Sequence, residues 1–389
     1  MMIPSQDRRI AVLDGYRALA ILLVLFFHYT VRWALPSDPA NHFPPGAVFN
    51  GNPVAEYGGF GVEFFFVISG FVILMTLEKC KSVLDFGVRR AARLWPSLIV
   101  AATLTTIAMH LIGFPEWRPP LASYFSSVVL IYPRLIGPVI HERQLGWVDG
   151  AYWSLFVEVR FYALAGLCYW LAQKNFIRLW VCLQTSVTGL TVVAAHSPAL
   201  TTALNYILFF QYFPYFTIGL CLYEFYSGGA LKTLAIGGMV LGAATILLSS
   251  SMQWNIWRAY DATDGVIINL VIFAFFALFA MQSKLVGIFA WRPISILGQA
   301  SYSLYLLHQL IGVSVMRLMI RGGISYVEAL PITTAGMILS SVLIFYLIET
   351  PAKRFILARS QPWTKAMQEK IPAIGFERSR PPTPQPAEA

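Results

Sequence analysis

Two side chains stand out in the apolar stretch LDGYRALAILLVLFFHYT, residues 13–30: Arg17 near one end and His28 toward the other. Eleven positions separate them. At about 100° per residue, eleven steps come to roughly three turns plus 20°, so one helical face carries both, roughly 16 Å apart along the axis. A guanidinium suits an anion, and an imidazole that titrates near neutral pH suits proton transfer. Ionisable groups are costly in a bilayer and face the protein interior or a water-filled cavity. The pair therefore describes a polar channel down one side of an apolar helix, although an arginine at a helix end also serves as a simple interfacial anchor.

Other ionisable residues follow the same logic. GGFGVEFFFVISGF (58–71) carries Glu63 near its start and Ser69 and Gly70 further in, with glycines that permit close helix packing. FGVRRAARLWP (86–96) places Arg90 and Arg93 at i, i+3. On a helix they share a face, where two guanidinium forks match phosphate geometry, while membrane anchoring is the plainer reading of the same run. AYWSLFVEVRFY (151–162) places Ser154, Glu158 and Tyr162 on one face, and Glu158 is the strongest candidate for a buried functional acid, with Arg160 as a conceivable partner. ASYSLYLLHQ (300–309) puts Ser301, Tyr305 and His308 on one stripe, with Tyr302 beside it. YLIETPAKRF, with Glu349 and Pro351, reads as a helix stop beside a basic anchor.

The elements that must position these groups are membrane helices. The chain has 389 residues, 57% of them hydrophobic and 12% charged, about half the charge of a soluble domain, and its mean hydropathy is +0.63. Aromatic residues make up 15%, which suits interfacial belts. The fold expected is all-α and polytopic. Apolar runs of spanning length or near it fall at about 15–36, 58–77, 97–113, 152–172, 178–196, 204–226, 231–250, 265–281, 298–320 and 329–348. A shorter run at 121–132 reads as re-entrant or interfacial. The first run reads as an uncleaved helix rather than a signal peptide. Cys80, Cys168, Cys182 and Cys221 are scattered, with neither a disulfide framework nor a metal-ligand spacing.

Lysine and arginine cluster in alternate loops: Arg8 and Arg9, then Lys79 to Arg93, Lys174 and Arg178, Lys232, Lys284 and Arg292, and Lys353 to Arg359. About ten transmembrane helices with N- and C-termini cytoplasmic fit this pattern. The net charge of +9 is thereby assigned to cytoplasmic loops, not to nucleic-acid binding. Residues 1–358 form the expected membrane domain and 359–389, proline-rich at their end, a disordered cytoplasmic tail.

Taken in order, DGYRALAILLVLFFH, GGFGVEFFFVISGF, RRAARLWP, WSLFVEVRFY, SYSLYLLH and IETP resemble the acyltransferase family 3 membrane proteins, which acylate cell-surface polysaccharides and related molecules. The likeness covers roughly residues 10–355. Arg17 and His28 match the family's pattern of arginine, ten residues, histidine, while Glu63 stands where the family more usually has aspartate. Many relatives append an extracytoplasmic hydrolase-like domain, and this chain resembles the stand-alone type.

The resemblance implies transfer of an acyl group, usually acetyl, from cytoplasmic acetyl-CoA to a hydroxyl of a carbohydrate or glycolipid acceptor in a cell envelope, at the inner (cytoplasmic) membrane of a bacterium. Arg17, Arg90 and Arg93 would hold the coenzyme A phosphates. His28 would act as a base or as a brief acyl carrier. Glu158 would orient or activate the acceptor, or tune His28. Glu63, Ser69, Trp153, Ser154, Tyr305 and His308 would line the substrate pocket. No metal is expected. The rival reading is a proton-coupled secondary transporter or polysaccharide export protein, which mid-membrane histidines and carboxylates also suit. Paired half-sequences, which such transporters often carry, are not evident, and an arginine cluster aligned with the Arg17–His28 face favours a nucleotide-bearing donor.

Overall fold

The computed structural model describes residues 5–33, 44–112, 114–142, 145–194, 197–251 and 262–370. The described residues are helical, with no strand. In chain order the helices are α1 (Ser5–Tyr29), α2 (Pro53–Tyr57), α3 (Gly61–Leu77), α4 (Val83–Ile112), α5 (Leu121–Val129), α6 (Pro133–Ile136), α7 (Tyr152–Ala172) and α8 (Phe176–Ala194). They continue with α9 (Pro198–Leu208), α10 (Phe213–Ser227), α11 (Lys232–Ser251), α12 (Ala262–Ala280), α13 (Arg292–Gln299), α14 (Ser301–Arg321), α15 (Tyr326–Ile344) and α16 (Thr350–Lys370).

Among the described residues eight helical stretches are long and apolar enough to cross a membrane. One of them, Tyr152–Ala194, contains both α7 and α8, and α10, at 15 residues, falls short of the roughly 20 that a bilayer needs. Each of the ten expected runs coincides with a helix, with two differences of detail. The run at 204–226 is broken at Phe209, whose φ of 45° ends α9. The run at 298–320 is divided at Ala300, so α13 and α14 share it. The segment at 121–132 forms the nine-residue helix α5, too short to span.

YLIETPAKRF does not stop a helix, contrary to expectation. A π-helical turn at Phe345–Glu349 leads from α15 directly into α16. Pro351 is the second residue of α16 and has no N–H to donate to the π turn ahead of it, yet the helix continues through it. The boundary expected at 358 lies inside α16, and the rest of the expected tail, 371–389, lies outside the described residues.

Helix ends follow local chemistry. Asn52 Oδ1 accepts from the amides of Val54 (3.0 Å) and Ala55 (3.1 Å) ahead of Pro53, and Ser325 and Glu328 form a capping box at α15. α1 packs against α3, α13 and α14, α3 against α10, and α4 against α14 and α16. Glycines set how closely these backbones meet. An added Cβ would lie 2.4 Å from the Ala20 carbonyl oxygen at Gly61 and 2.3 Å from that of Phe216 at Gly70, the close packing that the glycines of this segment suggest.

Candidate active site

Residues of α1, α3, α4, α7, α14 and α16 surround a cavity of about 550 Å³, within the range of roughly 300–1,000 Å³ for small-molecule sites. Arg17, Arg90, Arg93, Lys353 and Arg354 line it, as do the carboxylates Asp14, Glu158 and Glu349, so cations outnumber carboxylates five to three. The three arginines expected to act together thus share one cavity. Lys353 and Arg354 join them because α16 continues past Pro351, a feature that a helix stop at that point had hidden.

The arginines are held differently. Arg17 Nη1 donates to Asp14 Oδ1 at 2.7 Å, one turn earlier on α1. Arg93 forms an ion pair with Glu349, which also accepts from Ser97 Oγ (3.0 Å) and Ser303 Oγ (2.9 Å). Glu349 is 1% exposed. It is a buried counter-ion that the sequence alone made look like a helix terminus. Arg90 has no carboxylate partner: its Nη2 donates to Thr76 Oγ1 at 3.2 Å, its guanidinium lies over the rings of Tyr162 and Phe86, and its buried Nε has no hydrogen-bond partner. A half-buried guanidinium with an unused Nε donor is suited to an anion entering from the cavity.

Further in, Glu158 Oε1 accepts from both Ser69 Oγ and Tyr162 OH, each at 2.5 Å. The i, i+4 spacing of Glu158 and Tyr162 on α7 makes the second bond, and the α3–α7 contact makes the first. Arg160 is not the partner of Glu158. It stacks over Phe156 at 4.3 Å and donates to the Tyr206 carbonyl, because two residues along a helix is a turn of about 200°. Ser154 and Tyr305 share a hydrogen bond of 2.7 Å, and Tyr305 OH donates to the Ala151 carbonyl at 2.9 Å. Ser69, Ser154 and Tyr305 line the cavity.

Glu63, Trp153 and His308 do not. Glu63 is 2% exposed on a different face of α3 from Ser69. Trp153 precedes the pocket-facing Ser154 by one residue and turns to Tyr212 (5.2 Å between ring centroids) and Phe66 (6.5 Å). His308 lies one turn beyond Tyr305 and meets His28 instead: His308 Nε2 is 3.3 Å from His28 Nδ1, with the rings edge to face at 4.8 Å. The face shared by Arg17 and His28 is therefore the one turned to α14, with Arg17 in the cavity and His28 beyond Tyr305. Glu158 is engaged by Ser69 and Tyr162, not by His28.

Asp149 was not singled out by sequence. It is fully buried in the turn ahead of α7, where its two oxygens accept from the amides of Ala151 (2.8 Å) and Leu310 (2.9 Å). Burial pushes its carboxyl from 3.8 up to about 6, against the pull of those two amides. The four cysteines are free, and no group of metal-ligating side chains is present among the described residues.

In sum the cavity combines a cationic cluster suited to a polyanion with hydroxyls and a carboxylate, and the histidine pair lies outside its lining, beyond Tyr305. A family model described as "Acyltransferase domain" matches residues 10–349. The O-acetyltransferase OatA of Staphylococcus aureus is 24% identical over 385 residues, a match covering 88% of this chain and 57% of that protein. The exopolysaccharide production protein ExoZ of Rhizobium meliloti is 28% identical over 313 residues, covering 76% of this chain and 90% of that protein. Nodulation protein 10 of Rhizobium leguminosarum bv. viciae is 28% identical over 165 residues, or 38% of this chain and 41% of that one. The chain thus spans little more than half the length of the first of these relatives. No solved structure matches it.

Proposed function

The chain belongs to the acyltransferase family whose model it matches over residues 10–349, and from that membership we propose that it is a membrane O-acyltransferase. It transfers an acyl group, acetyl in the first instance, from cytoplasmic acyl-CoA to a hydroxyl of a cell-envelope carbohydrate or glycolipid, at the inner membrane of a bacterium. The names of the relatives OatA and ExoZ, an O-acetyltransferase and an exopolysaccharide production protein, support acetyl and a polysaccharide acceptor.

The observation that carries the reading is the basic cavity mouth. Coenzyme A brings several phosphate charges, and Arg17, Arg90, Arg93, Lys353 and Arg354 line one cavity where guanidinium forks can bind them bidentately. The pantetheine arm would then extend past Ser69, Glu158 and Tyr162 toward Tyr305 and the histidines. His28 accepts the acceptor's hydroxyl proton as the oxygen attacks the thioester carbonyl. The C–O bond forms, the C–S bond breaks, and the thiolate leaves with that proton. Glu158, already taking two O–H bonds, orients the reacting hydroxyl or donor.

The test uses detergent-purified protein. Acetyl-CoA binding is followed by calorimetry, and turnover by release of free thiol. Arg90→Ala should weaken binding by about tenfold or more, since charge-assisted bonds contribute roughly 1.5–3 kcal/mol each, while leaving folding nearly intact because Arg90 has no buried counter-ion. His28→Ala should bind as the native chain does and lose turnover by about 100-fold or more. Failure of the folded native protein to bind acetyl-CoA would sink the proposal.

A further inference from the structure

The two mid-membrane histidines meet, and backbone carbonyls fix their tautomers. His28 Nδ1 lies 2.8 Å from the Val24 carbonyl oxygen and His308 Nδ1 2.8 Å from that of Tyr305. A carbonyl oxygen only accepts, so in the neutral rings each Nδ1 carries the proton. His308 Nε2 is then a bare lone pair, and it points at His28 Nδ1, 3.3 Å away. The His28 Nδ1–H is shared between Val24 and His308, and the nitrogen with which His28 exchanges protons is Nε2.

We propose that His308 is a positioning residue for His28: its Nε2 accepts the His28 Nδ1–H and stabilises the imidazolium that forms when His28 Nε2 takes the acceptor's proton. This deepens the acyltransferase reading and rests on it. The role is that of the group orienting the base in a nucleophile–base–orienter triad, filled here by a neutral imidazole. His308 need not itself change protonation. One proton arrives at His28 Nε2 from the attacking hydroxyl and leaves with the thiolate, while the Nδ1–H stays between the rings.

His308 is held firmly for this task. Tyr29 OH donates to the His308 carbonyl at 2.8 Å, Tyr152 OH to that of Leu306 at 3.2 Å, and Asp149 takes the Leu310 amide. Three tethers on one short stretch of α14 come from α1, α7 and the turn ahead of α7. The titratable groups facing the pair are Tyr305 on α14, Tyr29 on α1, Tyr152 on α7 and Asp149 before it. Tyr326 of α15 bonds the Tyr29 carbonyl at 2.8 Å, and Glu63 of α3 acts electrostatically on Tyr305.

The experiment compares native protein, His308→Leu and His308→Gln for acetyl-CoA affinity, kcat and the pH profile of thiol release to a carbohydrate acceptor. Leu fills the space without an acceptor, whereas the Gln amide oxygen replaces Nε2. The expected result is native donor affinity in both variants. In His308→Leu kcat falls by about 100-fold, and the acid limb of the profile moves to lower pH because the imidazolium has lost a hydrogen bond. His308→Gln recovers to within about tenfold of the native kcat, the acceptor being restored. Equal losses in both variants with an unmoved acid limb would mean that His308 only packs, and the proposal falls. Should His308→Leu not fold, His308→Gln decides alone, since a folded Gln variant without turnover overturns the proposal. A native protein with no turnover would remove the acyltransferase reading, an outcome distinct from either.

Discussion

At the scale of single residues, Asp149 shows how burial and hydrogen bonding oppose each other. Two amides favour its carboxylate, yet complete burial outweighs them and raises its pKa from 3.8 to about 6. The native state therefore binds a proton more tightly than the unfolded chain does. Stability contributed at Asp149 is fully present below about pH 4 and is lost as pH rises through about 6, a change of about 3 kcal/mol. Thermal unfolding in detergent from pH 4 to pH 7.5 should show this slope in the native protein and lose it in Asp149→Asn. The variant is less stable throughout, because its amide NH2 faces an amide donor. A slope that survives the substitution would refute the assignment. The same residue marks what a sequence conceals. Asp149 precedes an apolar helix and looks like a loop residue, and its grip on the Leu310 amide depends on two segments 161 positions apart. Arg17, Arg90, Arg93, Ser69, Ser154, Glu158 and Tyr305 were legible because a polar group in an apolar run needs a reason. Glu349 was not, because a carboxylate followed by Thr-Pro at the end of such a run already has an ordinary explanation.

At the scale of elements, two glycines set how closely α3 and α10 cross. A Cβ at Gly219 would stand 2.0 Å from the Val67 carbonyl oxygen, and one at Gly70 2.3 Å from that of Phe216. Both neighbours are backbone and cannot move aside. Gly219→Ala must push the helices apart and should cost roughly 1–3 kcal/mol, as overpacked cores do. Gly189→Ala, with nothing within 4 Å of its added carbon, should be neutral or stabilising by up to about 1 kcal/mol, as expected for glycine in a helix interior. Melting temperatures of the two variants check the contrast, and a Gly219→Ala protein as stable as Gly189→Ala would disprove it. Apolar length predicted where the helices lie, since a bilayer sets a minimum span. It did not predict the break at Phe209 or the continuation through Phe345–Glu349, because a residue entering the left-handed region and a π turn leave no mark on hydrophobic periodicity. The glycines of GGFGVEFFFVISGF announced close packing, but only the fold says that Gly219 answers Gly70.

At the scale of the whole molecule, the cavity, the basic loops and the order of helices must agree on one orientation. Arg17, Arg90, Arg93, Lys353 and Arg354 line the cavity, and Arg90, Arg93, Lys353 and Arg354 belong to the lysine- and arginine-rich segments of the sequence. The positive-inside rule assigns those segments to the cytoplasm, where a coenzyme A thioester is available. With α5 only nine residues long and unable to span, the chain stays on the side where α4 ends, and α7 starts from that side. Glu158 and Ser154 then enter from the outer face. This orientation is testable residue by residue in a Cys182→Ser background, which removes the one exposed native thiol. Asn50, ahead of α2, and Ser227, the last residue of α10, are both exposed. In intact cells a membrane-impermeant maleimide should label Asn50→Cys, and should label Ser227→Cys only after permeabilisation. The opposite pattern would place the basic mouth outside, away from any cytoplasmic thioester, and would remove the donor route on which the proposed function depends.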